Sequence, residues 1–121
     1  MKIIVAILFS IFLISCKKET IKPQNSVPEI ASLEKGETLF QENNCVACHQ
    51  PNNKVVGPSI EQMATIYKKE NASLVSFLKA EAEPIVDLTQ YETMKINLEI
   101  TKVMTDEELK SLEIYIQSFA K

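Results

Sequence analysis

Apolar and polar positions divide the chain into runs with different periods. Ile3 to Ile14 is apolar almost throughout and follows Lys2. A run of about a dozen residues is too short to cross a bilayer, which needs roughly 20. It reads as the apolar core of a secretory signal. Residues 17–30 are polar, contain Pro23 and Pro28, and follow neither a helical nor a strand period. They read as a linker, and 14 flexible residues reach about 20 Å r.m.s.. From about Ala31 a helical period sets in, with Leu33, Gly36, Leu39 and Phe40 on one face. Ser32 is the expected cap, with Glu34 and Glu37 near the positive helix end. Gly36 inside a helix costs about 1 kcal/mol relative to Ala, which suggests a close helix contact.

Further along, Gln50-Pro51-Asn52-Asn53-Lys54 reads as a turn-rich loop. Ser59 caps a second helix with Ile60, Met63, Ala64 and Tyr67 on one face. Asn71 is expected to begin a third, with Leu74, Val75, Phe77 and Leu78 apolar, and Pro84 stops it. Asp87 to Lys102 carries Tyr91, Met94, Leu98 and Thr101 at near-helical spacing, so part of it is expected to be helix. Thr105-Asp106-Glu107-Glu108 is a capping box opening a last helix. Its buried stripe is Leu109, Leu112, Tyr115, Ile116 and Phe119. Nothing alternates like a strand, so the fold class is all-α.

Composition narrows the function. The 121 residues carry a net charge of −3, no Arg and no Trp, so a nucleic-acid footprint is absent. The three cysteines are an odd number, which an exported protein must account for. Cys16 follows Leu13-Ile14-Ser15 at the end of the apolar run, a pattern resembling the bacterial lipobox. It predicts cleavage of residues 1–15 before Cys16 and lipidation of that cysteine. Residues 16–30 then form a lipid-anchored linker and residues 31–121 the folded domain. Two or more acyl chains hold a protein at a membrane surface.

The other two cysteines stand in Cys45-Val46-Ala47-Cys48-His49, and His49 is the only histidine. This C-x-x-C-H spacing is that of covalent c-type haem attachment. Two thiols on one turn can each form a thioether to a haem vinyl group, and the histidine becomes an axial ligand. A zinc site needs about four ligands, and no second Cys or His pair exists. A thioredoxin-like pair expects a βαβ context, which the helical pattern lacks. A domain of about 90 residues without Trp has a small core, and a buried haem would fill it.

On these residues the region from about Leu33 to Phe119 resembles a class I cytochrome c, in a bacterial lipoprotein form. Gly36 and Phe40 precede Cys45-x-x-Cys48-His49, then come Gly57-Pro58, a Met-containing stretch, and Leu112-x-x-Tyr115-Ile116 on the last helix. The resemblance implies helices wrapped around one haem c attached through Cys45 and Cys48. It implies that the first and last helices cross, Gly36 and Phe40 meeting Leu112 and Tyr115. It also implies that the Pro58 carbonyl accepts a hydrogen bond from His49 Nδ1, with Gly57 and Pro58 beside the haem. With no second His, the sixth ligand is expected to be a methionine. Met94 is the leading candidate and Met104 the alternative, while Met63 lies on a core stripe. The family often shows Met-Pro at this place, whereas this chain has Met94-Lys95.

The function expected is single-electron transfer between respiratory complexes, without enzymatic turnover. The expected partners are a terminal oxidase or a quinol-oxidising complex, and the membrane through the lipid anchor. The expected place is the periplasmic side of a bacterial membrane. A haem-based sensor with an open distal site is the alternative. Lys54 and Lys95 are candidate docking charges.

Overall fold

The computed structural model describes residues 27–121. The expected signal, Cys16 and the linker up to residue 26 lie outside the described residues. Five α-helices follow in order: α1 (Val27–Glu42), α2 (Ile60–Lys69), α3 (Leu74–Leu78), α4 (Tyr91–Thr101) and α5 (Asp106–Gln117). Two short 3-10 turns, Cys45–Ala47 and Leu88–Gln90, precede α2 and α4. The described residues contain no strand, so the fold is all-α, as expected. None of these helices is long and apolar enough to cross a membrane.

Local chemistry explains most of the boundaries. Ser59 and Thr105 cap α2 and α5, accepting from Gln62 N and Glu108 N. Glu108 reaches back to the Thr105 amide, completing the capping box. Three expectations are corrected. Helix α1 already includes residues 27–30, ahead of the expected start near Ala31, since a proline at position 28 forfeits its own amide but not the carbonyls that later residues bond. Ser32 therefore lies inside α1, where its hydroxyl donates to the Pro28 carbonyl at 2.9 Å. The cap of α3 is Ser73, which accepts from Ser76 N, and not Asn71. Asn71 instead adopts a left-handed conformation (φ 49°) that closes α2. Helix α3 also ends at Leu78, well before Pro84, and the chain turns at Ala80 with φ 59°.

Helices α1 and α5 cross, and α5 also packs on α2 and α3. At the crossing a Cβ on Gly36 would stand 2.0 Å from the Ser111 carbonyl oxygen. Only glycine permits that approach. Beside it the rings of Phe40 and Tyr115 are 5.4 Å apart, and Tyr115 meets Phe119 edge-on at 5.3 Å. The crossing implied by the resemblance is therefore present. One contiguous core joins Phe40, Ile60, Ala64, Tyr67, Leu74, Leu78, Leu109, Leu112 and Ile116. Helix α4 meets this core through Met94 and is anchored by its C-terminal half. There Leu98 is buried, and the buried Thr101 hydroxyl donates to Leu78 O at 2.6 Å.

Candidate functional site

The segment after α1 is shaped by backbone bonds. Asn44 is left-handed, which turns the chain into the 3-10 turn holding Cys45. The His49 amide donates to Cys45 O at 2.9 Å, and the Gly57 amide to Cys48 O at 3.0 Å. An antiparallel bridge pairs His49 with Lys54. The loop from Gln50 to Val56 is thereby folded back onto the histidine.

His49 is held on two sides. Its Nδ1 lies 2.8 Å from the Pro58 carbonyl oxygen. A carbonyl only accepts, so Nδ1 carries the proton and Nε2 the lone pair. Gly57 lies against the ring, where a Cβ would come within 2.5 Å of Cε1 and 2.9 Å of Nδ1. Burial lowers the His49 pKa, and the bond to Pro58 opposes that shift. Burial prevails and favours the neutral imidazole, which the Pro58 bond orients, and that is the form that binds a metal.

Cys45, Cys48 and His49 line one cleft with Gly57 and Pro58. Both cysteines are free thiols and half-buried, and burial pushes the Cys45 thiol up. The cleft is broad and opens to solvent. Its walls are mostly apolar: Phe40, Tyr67, Leu74, Phe77, Leu78, Leu112 and Ile116 reach it from α1, α2, α3 and α5. Rings follow one another along one side, Tyr67 to Phe77 at 6.2 Å and Phe77 to Tyr91 at 6.3 Å. Burial raises the Tyr67 hydroxyl to about 12, so it stays protonated. Among the described residues no group of three or more His, Cys, Asp and Glu gathers to hold a bare metal ion.

Met94 lies on α4 and lines this cleft, whereas Met104 does not. Met104 packs against the core just before the Thr105 cap. Met63, expected only in the core, packs on the core and also reaches the cleft wall. It rises from α2, which starts two residues after Pro58. The sequence reading missed Asp87, another cleft residue. Its Oδ1 accepts from the Thr89 amide at 3.1 Å and its Oδ2 from Lys54 Nζ at 2.6 Å. The Asp-x-Thr spacing marks the first contact locally, but nothing in the sequence marks the second.

A family model for cytochrome c matches residues 33–120. The chain belongs to the cytochrome c family. Cytochrome c-552 of Nitrosomonas europaea is 52% identical over 29 residues. That stretch is 24% of this chain and spans 28% of the relative's length. The cofactor of this cytochrome is haem c, covalently bound. The cleft fits it: a broad apolar slot carries two free thiols and a neutral, oriented histidine at one edge.

Proposed function

We propose that this cytochrome c is a lipid-anchored carrier of single electrons between respiratory complexes, with His49 and Met94 as the axial ligands of its haem. The observation that carries the ligand assignment is the position of Met94, on the wall of the cleft that also exposes His49. When bound with both axial positions filled by His and Met, the haem supplies a one-electron couple of raised potential and leaves no open position for substrate.

The protein's own residues do the rest. Pro58 O fixes the His49 tautomer and makes the imidazole a stronger donor. Cys45 and Cys48 are the two thiols for the thioether bonds. The aromatic and aliphatic walls keep water away, which disfavours the more highly charged oxidised state. The missing proline after Met94 has a structural consequence: α4 runs unbroken from Tyr91 to Thr101, so the methionine is presented from a helix.

The anchor reading rests on Leu13-Ile14-Ser15-Cys16 and the apolar run before it. A tethered carrier gains high local concentration at its membrane in exchange for free diffusion. The partners consistent with that place are a quinol-oxidising complex and a terminal oxidase on the periplasmic side.

The holoprotein is expected to show sharp, low-spin α and β bands on reduction. Met94→Ala should abolish the methionine–iron charge-transfer band, while Met63→Ala and Met104→Ala keep it. Loss of the band in either of the latter alone would refute the ligand assignment. Cys16→Ala should abolish palmitate labelling and release the protein from membranes. Unchanged membrane attachment would refute the anchor.

A further inference from the structure

Two stretches of chain line the cleft without belonging to the core helices. One is the loop from Cys48 to Pro58, which reaches the cleft at its two ends, through Cys48 and His49 and through Val56 to Pro58. The other runs from Pro84 to Asp87 and leads through the Leu88–Gln90 turn into α4. They are joined by one side-chain contact, Lys54 Nζ to Asp87 Oδ2 at 2.6 Å, between residues 33 apart in sequence. The Asp87 side chain is only 13% exposed, although that of Lys54 is 54% exposed. Asp87 is also fixed locally, because its Oδ1 accepts from the Thr89 amide and, at 2.6 Å, from the Thr89 hydroxyl. Lys54 is fixed by the backbone bridge to His49. The ion pair therefore connects two anchored points and not two freely moving side chains.

Its position relative to Met94 gives it a role. Helix α4 is tied to the core at its far end by Leu98 and by the Thr101–Leu78 bond. Its near end is tied through Asp87 to Lys54. Met94 lies between, seven residues from Asp87 and seven from Thr101. We propose that Lys54 and Asp87 form a positioning clamp that links the His49 loop to the Met94 segment and holds the methionine at the haem iron. The proposal rests on the assignment of Met94 as the ligand. Lys54 and Asp87 touch no ligand atom. They set how often the Met94 segment swings away and lets a small molecule reach the distal position.

The test is imidazole uptake by the oxidised holoprotein, followed by loss of the methionine–iron band. Lys54→Ala and Asp87→Asn, which retains the oxygen that accepts from Thr89, should each speed uptake about threefold to fivefold, the span open to a pair with one exposed partner. Lys54→Arg should stay within about twofold of the native protein. Raising ionic strength from about 0.01 M to about 1 M, which shortens the Debye length from about 30 to about 3 Å, should speed the native protein and leave Lys54→Ala unchanged.

Native uptake rates in Lys54→Ala and Asp87→Asn would overturn the clamp, even if their denaturation midpoints fall. That result would mean the pair only steadies the surface. A band that survives Met94→Ala would overturn the ligand assignment and the clamp together. A band lost in Met94→Ala with native uptake in Lys54→Ala would overturn the clamp alone.

Discussion

Gly36 meets the backbone of Ser111 so closely that a methyl group on Gly36 would lie 2.0 Å from the Ser111 carbonyl oxygen and 2.8 Å from Tyr115 Cβ. Two effects oppose each other in Gly36→Ala. Helix propensity favours Ala by about 1 kcal/mol. The overlap is with backbone, which no rotamer change relieves, and overpacking costs typically about 1–3 kcal/mol or more. The contact should win. Urea denaturation is expected to show a net loss of about 2 kcal/mol or more, and any gain in stability would show that the helices separate freely.

Gly57 protects a different surface, the face of the His49 ring. In Gly57→Ala the added methyl would approach Cε1 to 2.5 Å, so the imidazole must move away from Pro58 O. The reduced spectrum should broaden from low-spin toward a mixture containing high-spin haem. An unaltered low-spin spectrum would show that the ring position tolerates the shift.

Ala80 presents the reverse case, a side chain where glycine is preferred. It turns the chain after α3 with φ 59°, its amide bonding Phe77 O at 2.9 Å and the Glu81 amide bonding Ser76 O at 2.9 Å. Left-handed backbone costs a non-glycine residue about 1–2 kcal/mol, and glycine's extra freedom when unfolded returns about 0.5–1 of that. Ala80→Gly should therefore stabilise the protein by up to about 1.5 kcal/mol. A higher urea midpoint with an unchanged slope would bear this out.

Thr101→Val removes the hydroxyl that joins the end of α4 to Leu78 O. It leaves a buried carbonyl without that donor, at a cost of about 1–3 kcal/mol, while Thr101→Ser should recover most of it. Thermal or urea denaturation of both variants distinguishes the lost bond from the changed shape.

The hydrogen bond from Lys54, followed by those from Thr89, holds the Asp87 carboxyl below its usual 3.8, at about 2. A depressed acid pKa means that its stabilisation is complete above about pH 4 and is lost as pH falls through about 2. Between pH 5 and 8 the Lys54–Asp87 pair should be insensitive to pH. Imidazole uptake at fixed salt and fixed free imidazole base should show no Asp87-linked step in that range.

The legible parts of this fold are those set by neighbours in sequence. Ser59 and the Thr105–Glu108 box could be assigned as caps because their partners lie three residues away. The Cys45–His49 motif and the helical stripes were legible for the same reason. Ser32 misled because a serine inside a helix can bond backward to a carbonyl as readily as it caps. Asn71 misled because asparagine suits both a helix start and the left-handed residue that closes one. The Lys54–Asp87 contact was not legible, since the 33 residues between them leave no periodic trace. Lys54, expected as a docking charge, is engaged with Asp87. The second methionine at the cleft, Met63, was hidden because one helical face serves both core and cleft.

The crossing of α1 and α5 also sets an order of events. Lys35 and Glu107, 72 residues apart in sequence, meet at 2.9 Å where the two helices pack. A contact of such separation must repay the entropy of closing a long loop, which slows its formation. The core cannot close until α5 has been synthesised and has reached α1. Until then Cys45 and Cys48 sit on an open chain, with their thiols outside any closed core.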